Sequence, residues 1–464
     1  MSATLRTEVL PIDPRRLEPL IGTARFELLV HRAAELRVLL GGRRVVNINS
    51  TATGGGVAEM LATLIGYVRG IGVEAEWLVI AGEPEFFAVT KRIHNGLYGS
   101  SGDGGDLGPR ERATYERTIA ANVARICDEV RPGDVVLVHD PQPAGLIAPL
   151  IERRANVVWR CHVGYDGANE WTDRAWAFLR PYVETAHAHV FSCESFAPPW
   201  VDRGRMRAIP PSIDPFTPKN AELGPPEILG LLAAAGVVSA QDAPPDARVT
   251  RPAEIVREGP PPDVRVPLVV QVSRWDRMKD MVGVLDGFVD HVRAPAQLVL
   301  AGPAVTGVSD DPEGEEVWDE TRAAWSRLSP ADRSRVLLAA IPMDHPVENA
   351  LVVNALQRHA SVVAQKSLAE GFGLTIAEAM WKSRPVVASA VGGIVDQVVD
   401  GETGLLVHDP HDLEGFGAAV QRLLDDRAEA ARLARNGRNH IAEHFLGDRH
   451  LLQYAELLTE LLAT

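Results

Sequence analysis

The sequence predicts an α/β protein with two units, each built on a parallel sheet between helices. Short apolar runs alternate with amphipathic stretches from residue 43 onward, as RRVVNIN, EAEWLVIAG, VVLVHD, VVWRCH and HVFSC. The alternation restarts at PLVVQV and continues through AQLVLAG, RVLLAAI, SVVAQ and RPVVAS. Strand-like runs separated by helix-like ones are typical of parallel α/β layers. A length of 464 residues also favours two cores over one.

The interruption between the two series of strands sets the predicted domain boundaries. Residues 1–215 form an N-terminal unit with a helical lead-in, and the run PPSIDP breaks the alternation at its end. Residues 216–266 include a stretch rich in proline and charge, which predicts a linker or surface excursion. The second unit covers residues 267–445. Residues 446–464 are predicted to form a C-terminal helix that packs back on the N-terminal unit.

Composition and charge exclude several classes of function. Asp plus Glu number 62 against 47 Lys plus Arg, which gives a formal charge of −15. This balance argues against non-specific nucleic-acid binding and against adhesion to an anionic membrane. The 3 cysteines include no CxxC pair, so neither a disulfide framework nor a zinc site is indicated, and a reducing cytoplasm is the expected setting. We expect no signal peptide and no membrane span.

Residues 370–378 read EGFGLTIAE and place a glycine-rich loop where a helix begins. Glycine allows the backbone to approach an oxygen closely, and the first amides of a helix are available as donors. The amides of Leu374 and Thr375, just after Gly373, are therefore placed to hold a phosphate. Glu378 lies about one turn further on and suits a ribose diol, since a carboxylate accepts hydrogen bonds from both hydroxyls. The alternative is an ordinary helix start, where the dipole favours acidic residues.

Two cations follow the apolar run PLVVQV. They are Arg274 and Lys279, in the segment SRWDRMK. Paired cations neutralise a departing diphosphate without a metal ion. The alternative, a solvated surface pair, is less favoured because both residues follow a strand of the buried type. A diphosphate site next to carboxylates that grip sugar hydroxyls indicates a nucleotide-sugar site, with Glu370 as one of those carboxylates.

Candidate ligands in the first unit also follow predicted strands. Gly55 and Gly56 precede a helix and suit a floor for the diphosphate or the glucose, although a tight turn explains them equally well. His162 follows VVWRC and is placed to donate to a sugar hydroxyl, with a structural histidine as the alternative. Asp140 and Gln142, in VHDPQP, are candidate acceptor ligands. Open parallel sheets bind ligands at the carboxyl ends of their strands, so we expect these groups to line one cleft between two facing sheets.

These segments resemble the retaining GT-B glycosyltransferases of family 4. The resemblance rests on GGG, the His162 loop, S-R-x-x-x-x-K, E-G-F-G-L, the spacing of Glu370 and Glu378, and D-G-x-T-G, and it extends from residue 43 to the C-terminus. NSTATGGGVAEML, VLVHDPQPAGLI, WRCHVGYD and PPSIDPFTPKN are similar to the family of trehalose glycosyltransferring synthases. The departure from that family is the stretch 231–266, which is longer than expected and concerns the linker rather than the site.

The resemblance implies two facing Rossmann-like domains and a retaining transfer. It implies that NDP-glucose, of the ADP or UDP type, is joined reversibly to free glucose to give α,α-trehalose and NDP, with no metal or other cofactor. In that scheme Glu370 contacts the transferred glucose, Glu378 the ribose, and Arg274 and Lys279 the diphosphate. His162 contacts the glucose 6-hydroxyl side or the reaction centre. A homodimer is compatible with the resemblance, and the base and the favoured direction stay open.

Three other functions fit the same residues. A retaining trehalose phosphorylase would use inorganic phosphate in place of the nucleotide, and a ribose ligand at Glu378 favours the nucleotide. A nucleotide-sugar 2-epimerase also has two facing α/β domains, but it needs no acceptor pocket. A non-catalytic sugar-nucleotide sensor is disfavoured by the complete set of site residues. The sequence contains no Asp-x-Asp motif, the usual ligand of metal-dependent glycosyltransferases, and the pair of cations offers a reason for this.

Overall fold

Two units make up the chain in the computed structural model, which describes residues 6–52, 56–239, 241, 243–305 and 312–463. The first unit is Met1–Ile213 together with Phe445–Thr464, and the second is Asp214–His444. Within the described ranges, no helix is long and apolar enough to cross a membrane. Both units have the α/β architecture that the alternating sequence predicts.

In the first unit, strands and helices alternate along the chain. The strands are β1 Val45–Asn49, β2 Ala75–Val79, β3 Val135–His139, β4 Asn156–Cys161, β5 Ala188–Phe191 and β6 Met206–Ala208. The helices are α1 Glu18–Ile21, α2 Thr23–Leu40, α3 Gly56–Gly70, α4 Pro84–Leu97, α5 Pro109–Cys127, α6 Ile147–Glu152 and α7 Glu170–Val183. The sheet has the order β2-β1-β3-β4-β5-β6, and each neighbouring pair is parallel.

This sheet is buried on both faces. Strands β1 and β3 are buried at every residue, which is why their sequences, VVNIN and VVLVH, are mostly apolar. Polar residues within such strands are therefore exceptional and need partners. The parallel register sets Val45 opposite both Ala75 and Val135, so the carboxyl ends of these strands lie at one edge.

The second unit has seven strands within the described residues. They are β7 Glu254–Val256, β8 Leu268–Val272, β9 Gln297–Pro303, β10 Val336–Ile341, β11 Val362–Gln365, β12 Val386–Ser389 and β13 Leu405–Val407. The helices are α8 Pro225–Ala234, α9 Met281–His291, α10 Pro312–Arg327, α11 Pro330–Arg333, α12 Pro346–His359, α13 Leu374–Trp381, α14 Ile394–Gln397, α15 Leu413–Asp425 and α16 Arg427–His444. The order is β13-β12-β11-β8-β9-β10-β7, and only β7 is antiparallel to its neighbour.

Residues 216–266, for which the sequence predicts a linker or excursion, form part of the second unit. Helix α8 packs against α12, and β7 adds an edge strand to the sheet, with Ile255 opposite Ala339. A three-residue edge strand flanked by proline and charge carries too little pattern to be recognised in the sequence. The last helix, α17 Gly447–Ala463, belongs to the first unit, where it packs against α2.

Candidate active site

The glycine-rich loop of the second unit leads from β11 into α13. Gly373 has φ of 84° and directly precedes the helix, so the amides of Leu374 and Thr375 lie in the first turn of α13, as expected for a phosphate site. A second glycine segment packs on this loop, where a Cβ at Gly392 would lie 1.6 Å from the carbonyl oxygen of Glu370. Glycine at position 392 therefore allows the backbone contact that shapes the Glu370 loop.

The structure brings Glu370 and Lys279 together. Lys279 Nζ lies 2.6 Å from Glu370 Oε2, and both side chains are largely buried. Ser367 Oγ, at 3.3 Å, donates to the same carboxylate oxygen. Gln271, buried on β8, holds the two loops in place because it donates to the Lys279 carbonyl and accepts from the Lys366 amide. The carboxylate of Glu370 and the ammonium of Lys279 thus form an ion pair at the carboxyl edge of β8 and β11.

Arg274 lies on the same loop as Lys279, after β8. Its Nη2 is 2.8 Å from Asp276 Oδ2, and about half of its side chain is exposed. The intervening Trp275 is buried, and its indole nitrogen donates to the Pro303 carbonyl at 2.7 Å. This anchor fixes the loop, while Arg274 keeps solvent access that an anionic ligand requires.

Glu378 precedes a buried lysine, Lys382, that the sequence analysis did not identify as a site residue. Lys382 lies one turn later, and its Nζ donates to Asn220 Oδ1 at 3.0 Å, to Gln357 Oε1 at 2.6 Å and to the Glu378 carbonyl at 3.2 Å. Burial lowers the pKa of Lys382 to about 7, and the negative charge of Glu378 opposes this shift. The sequence does contain a signal for this pair, because the spacing of four residues in EAMWK places the side chains of Glu378 and Lys382 on one helix face.

In the first unit, two histidines meet at the carboxyl ends of β3 and β4. His139 Nδ1 lies 3.2 Å from His162 Nε2, and the rings are stacked with centroids 5.5 Å apart. The other nitrogen of His139, Nε2, lies 3.0 Å from Asn47 Oδ1 on β1. Asn47, His139 and His162 therefore form a hydrogen-bonded chain across three adjacent parallel strands.

This chain of hydrogen bonds determines which nitrogen of His162 carries a proton. A side-chain amide oxygen only accepts, so His139 Nε2 is the protonated nitrogen of that ring. Burial lowers the pKa of His139 to about 3 and that of His162 well below its ordinary value, and the charge of Arg160 adds to both effects. Both rings are thus neutral near pH 7. His139 Nδ1 accepts, His162 Nε2 donates to it, and His162 Nδ1 is left as an acceptor. In this tautomer His162 Nδ1 is an acceptor, whereas the sequence predicts that His162 donates to a sugar hydroxyl. The contact of His162 with a sugar stays a prediction.

The remaining candidates of the first unit have different surroundings. Asp140 has φ of 64°, its Oδ1 accepts from the His162 amide at 2.7 Å, and burial raises its pKa to about 6. Asp140 therefore supports the His162 loop, a role that sequence reasoning missed. Gln142 is partly exposed just after β3, and Gly56 begins α3. Gly55 lies outside the described residues.

Comparison with known proteins supplies the family. Residues 47–198 match the model described as trehalose synthase, N-terminal domain, and residues 253–440 match glycosyl transferases group 1. The chain is 34% identical to the trehalose synthase of Pyrococcus horikoshii, over 96% of this chain and 97% of that protein. It is 35% identical to the trehalose synthase of Rubrobacter xylanophilus, over 92% and 93%. The chain belongs to the trehalose synthase family.

Solved structures confirm the fold class. An α,α-trehalose-phosphate synthase (UDP-forming) from Burkholderia vietnamiensis has a TM-score of 0.68 at 15% identity, with 91% of this chain and 100% of that chain covered. An Anabaena protein in complex with UDP and glucose has a TM-score of 0.59 at 16% identity, with 90% and 100% covered. The trehalose synthase family member described here is a GT-B protein with two Rossmann-like units, and it is a glycosyltransferase whose chemistry concerns trehalose.

Proposed function

We propose that this protein transfers glucose from a nucleoside diphosphate glucose to free glucose, and that the products are α,α-trehalose and the nucleoside diphosphate. The observation that carries the proposal is the contact of 2.6 Å between Lys279 and Glu370. In a nucleotide sugar, an oxygen of the β-phosphate is bonded to C1 of the glucose. A cation for the phosphate and a carboxylate for the sugar must therefore be close neighbours, as these two residues are.

The donor contacts follow from the second unit. Arg274, Lys279 and the amides that open α13 hold the diphosphate, because a helix N-terminus and paired cations both favour negative charge. Glu378 accepts from the two ribose hydroxyls. A protein of similar fold from Anabaena has UDP and glucose in its structure, which is consistent with a nucleotide-sugar substrate. The cations and the helix start take the place of a divalent metal ion.

The transfer proceeds with retention, since both glucose units of α,α-trehalose are α-linked and the donor is α-configured. The bond between C1 and the diphosphate oxygen breaks while a bond to the acceptor hydroxyl oxygen forms on the same face. The acceptor proton passes to the leaving phosphate oxygen. His162 accepts a hydrogen bond from a sugar hydroxyl through Nδ1, and Glu370 holds hydroxyls of the transferred glucose.

A phosphorylase is the second candidate. The chain is 25% identical to the trehalose phosphorylase of Pleurotus pulmonarius, over 91% of this chain and 57% of that protein. Such an enzyme binds inorganic phosphate where we place the diphosphate, and it has no ribose for Glu378 to hold. A 2-epimerase would release a free nucleotide or an epimerised sugar, and it would make no disaccharide.

Incubation with glucose and each of ADP-, UDP- and GDP-glucose tests the proposal. We expect α,α-trehalose and the matching nucleoside diphosphate in equal amounts, with the α configuration at both anomeric carbons by NMR. Disaccharide formed only from glucose 1-phosphate, with no response to any nucleotide sugar, would identify a phosphorylase instead.

A further inference from the structure

A cavity lies inside the first unit, behind the histidine pair. It is bounded by α2, α3, α17 and the sheet strands β1–β3, and its volume is about 80 Å³. Leucine, isoleucine, valine and alanine side chains make up most of the wall, among them Ala33, Leu64, Ile65 and Leu137. Arg32, whose side chain is 47% exposed, lines one end and marks a route from solvent.

A cavity of this size is unusual inside a protein. Interiors are packed as densely as organic crystals, with few voids larger than a water molecule. An apolar cavity forfeits contacts and lowers stability, and it stays dry because water finds too few partners there. A cavity with such walls suits an apolar occupant.

One end of the cavity is polar. Asn47, His139 and His450 line it, and His450 is fully buried on α17. Ser212 Oγ lies 2.9 Å from His450 Nδ1. Within the described residues, His450 Nε2 has no hydrogen-bond partner. A buried polar atom without a partner is costly, and each instance requires an explanation.

We propose that this cavity binds a small aliphatic alcohol, with its hydroxyl on His450 Nε2 and its carbon chain between α2 and α3. Burial and the charges of Arg449 and Arg160 lower the pKa of His450, so the ring is neutral and pairs with a hydroxyl as donor or acceptor. A sugar does not fit, because its other hydroxyls would lack partners in an apolar wall. An apolar cavity of about 150 Å³ admits the six carbons of benzene, so this cavity of about 80 Å³ holds roughly three or four carbons.

The occupant would lie next to the candidate active site. His139 lines the cavity and also holds His162 Nε2. An alcohol on His450 therefore changes the surroundings of His139, and we expect the effect to reach His162 through their shared hydrogen bond. The site is distinct from the sugar positions, and its existence does not depend on the reaction proposed above.

Titration of the full-length protein with 1-butanol tests this site. With ¹⁵N-histidine labelling, we expect saturable shifts of the His450 and His139 imidazole resonances. The variant Ala33→Leu fills the cavity wall, and it should raise the dissociation constant at least about tenfold, which corresponds to about 1.4 kcal/mol. The matched control, Ala62→Leu, adds the same atoms on α3 at a half-buried position that does not line the cavity, and it should leave binding unchanged.

Thermal unfolding of both variants verifies that they are folded. If Ala33→Leu fails to fold, Leu64→Phe replaces it as the filled variant. Shifts that rise linearly without saturation, or equal binding by filled and control variants, would overturn the proposal. A single ordered water on His450 Nε2 that 1-butanol does not displace would also overturn it.

Discussion

The two units differ in the side-chain contacts that they hold at the carboxyl edge of their sheets. At the carboxyl edge of its sheet, the second unit holds ionised groups in direct contact, such as Lys279 with Glu370 and Lys366 with Asp280. The first unit places two neutral histidines and an asparagine at the equivalent edge, where Asp140 and Arg160 are hydrogen-bonded to the backbone. The same architecture thus carries ion pairs in one unit and a neutral hydrogen-bonded chain in the other. The contrast fits the diphosphate and the neutral sugar of the reaction that we propose.

The largest effect is expected in the charged unit. Lys279→Ala removes a cation that stabilises the developing charge of the diphosphate, so turnover should fall by about 10²–10³. Arg277 offers a matched control two residues away, because it pairs with Glu316 and Glu320 on the surface. Initial rates should show Arg277→Ala within about threefold of wild type, since surface ion pairs contribute little. Wild-type turnover in Lys279→Ala would remove this residue from the mechanism.

A smaller effect is expected from the neutral chain of the first unit. Asn47→Leu deletes the acceptor for His139 Nε2, so the proton of His139 is no longer fixed and His162 loses its defined tautomer. We expect about a tenfold loss of turnover, less than the roughly 10²–10⁴ that a positioned acid–base group contributes, since the His162 ring itself is retained. Asn47→Asp restores an acceptor and should recover most of the activity. ¹⁵N NMR should show His162 protonated at Nε2 in wild type, and protonation at Nδ1 would contradict the assignment.

The two units should also lose stability in different pH ranges. The folded pKa of His139, about 3, lies below its ordinary value of 6.5. The unfolded chain therefore binds more protons between these values, and the free energy of unfolding falls as pH drops from 6.5 towards 3. The folded pKa of Lys382, about 7, likewise lies below 10.5, so its contribution makes the free energy of unfolding rise between pH 7 and 10.5.

Denaturant titrations across pH separate these two contributions. Lys382→Met should remove a slope of up to about 1.4 kcal/mol per pH unit between pH 7 and 10, and it should leave the acid range unchanged. His139→Gln should reduce the slope below pH 6 and leave the alkaline range unchanged. Identical pH dependence in wild type and Lys382→Met would show that the buried lysine keeps its ordinary pKa.

The smallest effect is expected from chelation. We predict that the initial rate is the same with and without EDTA, because the cations and the helix start of the second unit supply the positive charge. Complete loss of activity that Mg²⁺ restores would contradict this view of the charged unit.

The sequence predicts the strands and the residues that follow them, because continuous apolar runs identify buried strands and loops after strands carry ligands. It does not reveal partners that only the sheet brings together. Asn47 and His139 are separated by 92 residues, and within VVNIN and VVLVH they read as ordinary strand positions. The sequence likewise does not reveal the partners of Lys382, because Asn220 and Gln357 come from a loop and from another helix.

Calorimetric titration of Glu370→Gln and Glu378→Ala with the nucleoside diphosphate, alongside initial rates, is the most direct test of the two carboxylates. It measures which of them is needed for turnover and which for nucleotide binding. Glu370→Gln should lose most of its turnover but bind the nucleotide at least as tightly as wild type, because Lys279 is released from its ion pair. Glu378→Ala should bind the nucleotide more weakly, since the ribose loses its acceptor. Weakened nucleotide binding in Glu370→Gln with unchanged binding in Glu378→Ala would contradict the account.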